Sequence, residues 1–373
     1  MTIILHITPI QDWLAGRESG EYRPPSLARE GFIHCSTPDQ VVPVANNLYH
    51  GQRNLVLLCI ERGRVRAPVR DEDCYESGQL FPHIYGPLNR DAVVQVLPFP
   101  PDASGNFSLP PALADERGLL RWDYPILEFD PSEAAIIEPR EVLRPIDIAE
   151  HCVLCFFQDV VGALHAEGRL AFKKNLNSEM GDNPLYELDV DGRRLALFHP
   201  GIGAPLAGAY LEELIALGCR KFIACGGAGA LDASLVLGHV VVVDSAVRDE
   251  GTSYHYLPPS REVAASPRAV AALERILQRD NVPYVTGKTW TTDGIYRETR
   301  AKVGLRRAEG CLTVEMEAAA FFAVAAFRGV TCGQILYSGD DLSSDSWDSR
   351  HWQRETSVRE KLFWIAAEAC LEL

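Results

Sequence analysis

Between residues 193 and 338, apolar stretches end directly in glycine-rich or acidic turns and alternate with helical stretches. A chain written this way folds as an α/β unit. Its strands lie side by side, its helices cover the faces, and its site sits at the carboxyl edge of the sheet. RRLALF (193–198) reads as a strand that runs into the turn HPGIGAP. A helix follows over 205–217, with Pro205 suited to its first position and Gly218 to its stop. Strands are expected at 221–225, 238–244 and 334–338. Helices are expected at 267–280, at 311–328 in an alanine-rich run, and at 352–371.

The first part of the chain has another texture. Short strands at 3–7, 31–36, 54–61 and 91–97 alternate with helices near 10–20 and 37–49, an α+β pattern. Residues 1–112 carry nine Arg, no Lys and twelve acids, and a stretch rich in Pro, Gly, Ser and Ala closes them off. This composition predicts a small α+β domain over 1–112, a linker over 113–122 and a larger α/β domain over 123–373.

Charge narrows the function. Lys plus Arg is 36 and Asp plus Glu is 51, a formal net charge of −15. Such a field opposes nucleic acids and anionic membranes, yet leaves room for a local pocket that takes a small anion. No apolar run reaches the ~20 residues of a membrane span, and MTIILHITPIQDW lacks the basic start of a signal peptide. The ten cysteines, Cys74 among them, are scattered, mostly with apolar neighbours, as in reduced cores of a cytoplasmic protein. Cys152 and Cys155 form the sole C-x-x-C and read as packing.

Several segments could carry chemistry. Gly201 and Gly203 in PGIGAP precede a helix whose free N–H groups could hold a polar ligand. Gly226 and Gly227 in CGGAGAL would let backbone approach a ligand closely. Neither loop has the pattern of a dinucleotide fold or a P-loop. VRDEGTSYHYLPP, read as a loop, gathers Arg248, Thr252, Ser253 and His255, which suit a polar, ring-bearing ligand or a self-contained salt bridge. A second polar loop, TTDGIYRET, holds Tyr296 and Arg297, with Lys288 just before it. Glu315 and Glu317, two apart in a helix, would diverge, so one would enter a pocket beside the adaptable Met316. Asp340 and Asp341 end an apolar strand, where a half-buried acid can be tuned to give up a proton. Asp340, Asp341 and Asp345 have no histidine at metal spacing, so no metal is expected.

GIGAP, GGAGAL, RDEGTSYHY, TTDGIYRET, VEMEAAA and SGDD occur in an order that resembles the nucleoside phosphorylase superfamily over 123–373. The resemblance implies a three-layer α/β sandwich with a central mixed sheet and assembly as a homo-oligomer. It implies cleavage of a ribosyl C1′–N bond, with phosphate as co-substrate and no cofactor. Glu317 would bind the ribose hydroxyls, Met316 would pack on the sugar, and Glu315 would be a weaker partner. Asp340 would protonate the base, which favours a purine. Thr252, Ser253 and His255 would line the sugar or base region, with Tyr296 near the base.

Departures from the resemblance fall on phosphate. Typical members carry a G-D-P-x-R loop. The stretch taken as its counterpart, EFDPSEAAIIEP (128–139), has no glycine and no arginine. Ala224 stands where a second phosphate arginine is usual, and Gly227 replaces a Ser or Thr. Other donors must then serve a dianion, with His199, Arg248, Lys288, Arg297 and the GIGAP backbone as candidates. Water as nucleophile, or a binding protein without catalysis, are the alternatives. In the small domain, LHIT, EYRPPSLAREGFIHCS and FPHIYGPLN resemble a bacterial family of unknown function placed near ADP-ribosyltransferase-like folds. That resemblance points to His6, His34, Ser36, His83 and Tyr85 and to an NAD- or ADP-ribose-like ligand, with a structural or regulatory role as the equal alternative.

Overall fold

The computed structural model describes residues 3–15, 20–73, 78–102, 104–110, 113, 124–130, 132, 134–344, 346–354 and 356–373. Most of the expected linker at 113–122, together with Cys74 and Asp345, lies outside the described residues. The chain divides into two compact units, Met1–Pro125 and Ile126–Leu373.

In the first unit a three-stranded antiparallel sheet places Leu55–Glu61 between Ile3–Pro9 and Val93–Pro98. Leu55–Glu61 is buried along nearly its whole length, as the unbroken run LVLLCI demands. The helix Pro38–Leu48 packs Val41 and Ala45 inward and begins at Thr37 with a reciprocal cap to Gln40. The expected helix near 10–20 is described over Ile10–Ala15.

The second unit is built on a ten-stranded mixed sheet. His151–Cys155 pairs in parallel with both Arg193–Phe198 and Lys221–Ala230. Beyond it the pairing closes on itself. Lys221–Ala230 pairs with Thr331–Asp341, which pairs with Val240–Asp249. Val240–Asp249 pairs with Tyr284–Thr292, that strand with Cys311–Glu315, and Cys311–Glu315 with Gly229 and Ala230 again. Helices cover both faces. Ala204–Leu217 and Ala318–Arg328 share one core, and Pro267–Arg279 and Thr356–Leu371 share the other. This is an α/β fold with a mixed central sheet and flanking helices, joined to a smaller α+β region.

Three expectations are corrected. The stretch 311–328 is not one helix: Cys311–Glu315 is a strand and the helix starts at Ala318. The Glu315 carboxylate accepts the N–H groups of Glu317 and Ala318, both at 2.7 Å, which satisfies helix-start donors and turns the chain. Residues 226–229 are not a turn after a short strand. They continue the strand to Ala230, and a Cβ at Gly227 would sit 3.1 Å from the Tyr337 ring. Likewise, Arg248 and Asp249 end a ten-residue strand, and Thr252–His255 is a short 3-10 turn.

Candidate active site

A cleft of about 510 Å³ opens where the carboxyl ends of three strands meet. Gly226–Gly229, Val314–Glu315 and Gly339–Asp340 line it, together with Met316 and Glu317. This is the edge at which an α/β sheet exposes its unpaired ends.

Glu315 and Glu317 do not diverge as helix neighbours, because only Glu317 stands at the helix start and Glu315 ends a strand. Both are buried in one place. Glu315 is fully engaged: Thr291 Oγ1 donates to Oε1 at 2.6 Å, and two backbone N–H groups reach Oε2. Glu317 holds less. Gly203 N–H donates to Oε1 at 2.7 Å and Met316 N–H to Oε2 at 3.3 Å. Burial and the neighbouring charge of Glu315 push its carboxyl up to about 8. Burial raises Glu315 as well. A buried carboxylate with spare lone pairs, facing an apolar-walled cleft, suits ligand hydroxyls as donors.

At another part of the cleft, Asp340 accepts the Trp347 indole N–H at 2.6 Å. It stands over Gly229, where a Cβ would come 3.5 Å from its Oδ1. Glu298 also lines the cleft, and burial and the charge of Asp340 push it up to about 7.

The remaining sequence candidates divide sharply. Gly226 and Gly227 line the cleft, and Gly203 reaches it through its bond to Glu317. Gly201 takes a left-handed backbone (φ 77°) and donates its N–H to His199 Nδ1, 3.2 Å away. His199 itself packs edge-on behind Phe156 and does not line the cleft. Arg248 is buried and committed elsewhere. It donates to Ser253 Oγ, Ser260 Oγ and the carbonyls of Leu257 and Pro258, all within 2.6–3.1 Å. Ser253 is bonded in turn to Glu250. Thr252 and His255 belong to the same 3-10 turn, outside the cleft lining. Lys288 is bound to Glu262 at 2.5 Å and to the Glu309 carbonyl at 3.1 Å. Arg297 is exposed, and Tyr296 is 94% exposed, neither of them lining the cleft.

Sequence reasoning missed Phe156, Gln158, Asp159, Glu298, Tyr337 and Arg359, all in the lining. Arg359 is the sole Lys or Arg of that lining among the described residues. Its guanidinium donates to Asp159 Oδ2 at 3.2 Å and to the Tyr337 hydroxyl at 3.3 Å. The described residues of the stretch 128–139 do not line the cleft. The first central strand, His151–Cys155, delivers Phe156–Asp159 there instead. A strand–turn–helix reading of HCVLCFFQDVVGAL would have found this segment, whereas nothing local marks Arg359 on a C-terminal helix.

The first unit has a cavity of about 680 Å³ lined by His6, Ser26, His34, Ser36 and His83, among others. His6 Nδ1 meets the His34 carbonyl at 2.6 Å, and burial lowers its imidazole to about 4, so it is neutral at neutral pH. Tyr85 lies outside that lining and donates to Glu72.

A mixed sheet thus brings Glu315, Met316, Glu317 and Asp340 to one cleft at its strand ends. The chain belongs to the phosphorylase superfamily, whose family model matches residues 150–369. Residues 128–139, taken from sequence as the counterpart of the G-D-P-x-R loop, precede that match. Residues 7–96 match a protein family of unknown function, DUF952. Among curated relatives, guanosine phosphorylase of Halorubrum lacusprofundi is 35% identical over 166 residues, 42% of this chain and 68% of that protein. Uridine phosphorylase of Treponema pallidum is 30% identical over 153 residues, 38% of this chain and 59% of that protein. A crystal structure of uridine phosphorylase from Vibrio fischeri superposes with a TM-score of 0.51 at 22% identity, covering 61% of this chain and 94% of that one. The structure of AMP nucleosidase from Bacteroides thetaiotaomicron gives 0.52 at 20% identity, covering 63% and 96%. These two structures share the fold. Among the described residues no helix is long and apolar enough to cross a membrane.

Proposed function

We propose that the larger unit is a nucleoside phosphorylase that cleaves the N-glycosidic bond of a purine nucleoside with phosphate. Base and ribose 1-phosphate are its products. The observation that carries this reading is Glu317, a buried carboxylate with only two backbone donors, beside Met316 in an apolar-walled cleft. Ribose hydroxyls would complete its hydrogen bonds while the methionine covers the sugar. The C1′–N bond then breaks through a sugar with oxocarbenium character, and fixed bonds that tighten at that point lower the barrier. Guanosine and uridine phosphorylases among the relatives support the reaction class. The acidic pair Glu298 and Asp340 in the cleft favours a purine base, whose ring nitrogen accepts a proton on leaving.

A second reading has a specific observation behind it. Arg359, the cleft's sole basic side chain among the described residues, is tied to Asp159, so a phosphate dianion finds no unpaired guanidinium. Water as nucleophile, a nucleosidase, answers to that feature. Incubation with adenosine, guanosine, inosine and uridine, with and without phosphate, separates the two by whether pentose 1-phosphate or free pentose forms.

For the smaller unit we keep an NAD- or ADP-ribose-like ligand as the reading of its histidine-lined cavity. Calorimetric titration of the full chain with NAD and with ADP-ribose tests it. The assembly is proposed to be a homo-oligomer, which sedimentation measures directly.

A further inference from the structure

Besides Glu315, Glu317 and the Arg359-bound Asp159, the cleft is lined by two more carboxyl groups, Asp340 and Glu298. Asp340 is fastened by the Trp347 indole at 2.6 Å, a donor that a carboxylate accepts and a protonated carboxyl would use less well. Glu298 has no hydrogen-bond partner among the described residues and lines the same cleft. Its backbone is fixed from both sides. Arg297 N–H closes a turn on the Gly294 carbonyl at 2.7 Å. Thr299 then caps the helix Arg300–Ala308 by accepting Lys302 N–H at 3.4 Å. The side chain is thereby presented to the cleft and not to the helix. Burial and the charge of Asp340 both oppose ionisation of Glu298, which has no donor among the described residues to offset them.

Resting on the nucleoside reading above, we propose that Glu298, and not Asp340, is the acid that protonates the departing base. Asp340 keeps the proton on Glu298 by its charge. Burial and that charge place the Glu298 carboxyl at about 7, where a donor is half loaded at neutral pH. The groups around it are Asp340 and Trp347 on one side. On the helix beside it lie Arg300 and Arg307, the latter bound to the Ser343 carbonyl at 2.9 Å.

The step balances as follows. The C1′–N bond breaks and its electron pair passes into the base. The Glu298 O–H bond breaks and its proton forms the N–H bond on that base. A phosphate oxygen, or water in the second reading, bonds to C1′. Glu298 is left as a carboxylate and recovers its proton from solvent or from the acidic product when the base departs.

The test compares two leaving groups on the full chain. One substrate is whichever of adenosine, guanosine, inosine and uridine turns over fastest. The other is p-nitrophenyl riboside, whose phenolate leaves without a proton. Glu298→Gln is expected to lower kcat on the nucleoside about 10²-fold or more and to leave the phenyl riboside within a few-fold. Glu298→Asp restores part of the loss. Asp340→Asn shifts the acid's pH profile downward and keeps more activity than Glu298→Gln. Equal loss on both substrates, or loss on neither, overturns the proposal alone. A wild type that cleaves only the phenyl riboside has no working acid and overturns it too. A wild type that cleaves neither overturns the nucleoside reading itself, and the proposal with it.

Discussion

Two segments of the larger unit are equally polar in sequence and opposite in use. Arg248–His255 and Glu315–Glu317 both begin in the last residues of a strand and both bring charge into the interior. In the first, Arg248 closes four hydrogen bonds and Ser253 answers Glu250, so the segment satisfies itself. In the second, Glu315 spends its oxygens on the helix start, but Glu317 keeps lone pairs free toward a cleft. Polar density therefore does not mark a site. Unspent hydrogen-bonding capacity beside a cavity does.

Breaking the comparison begins with its largest expected effect. Glu317→Gln turns one of the two acceptor oxygens into an NH2 donor and removes the charge, and kcat/KM for base release should fall about 10²–10³-fold, measured by chromatography of the free base. Arg248→Met leaves Ser253, Ser260 and two carbonyls without their donor. It should cost about 2–3 kcal/mol in denaturant unfolding and leave KM for phosphate unchanged. A raised KM would make Arg248 a ligand after all. Glu315→Gln should cost about 1–3 kcal/mol, since an amide cannot accept every donor that the carboxylate now holds. Its readout is again the unfolding midpoint.

Acidity sharpens the same contrast. The Glu317 carboxyl lies at about 8 against an ordinary 4.5, so the folded chain holds this proton where the unfolded chain has lost it. Its contribution to stability is full below 4.5 and is lost as pH rises toward 8. Ligand binding should move the other way, because the ionised form accepts the hydroxyls. Thermal unfolding with and without a bound nucleoside, across pH 5–9, reads both trends as about that window. The smallest effect is expected at Tyr296, which is 94% exposed. Tyr296→Ser should change stability by no more than about 0.5 kcal/mol.

Much of the fold was legible because the helix starts and stops carry their own chemistry. Pro205, Gly218 and Pro267 stand where the helices begin and end. The failures share one cause, the dominance of tertiary pairing over local composition. Cys311–Glu315 abuts an alanine-rich helix, and only its pairing with Tyr284–Thr292 fixes it as a strand. Gly226–Ala228 looks like a turn, yet it stays in register with Leu336–Ser338, and Phe156 and Tyr337 occupy the space that side chains at Gly226 and Gly227 would need. In the site, Met316 and Glu317 were legible as a short acidic motif, read as lying in a helix, and Asp340 as the end of an apolar strand. Arg359 and Asp159 were not, since their meeting joins residues 200 positions apart. Glu298 was passed over for Tyr296 and Arg297, its more conspicuous neighbours, which the 3-10 turn directs to the surface.

The most direct test of the account is product analysis of wild-type protein and Glu317→Gln on purine nucleosides, with and without phosphate. The account predicts that wild type releases free base together with ribose 1-phosphate, only when phosphate is present, and that the variant nearly stops. Base release that persists unchanged in Glu317→Gln, or free ribose independent of phosphate, would contradict it.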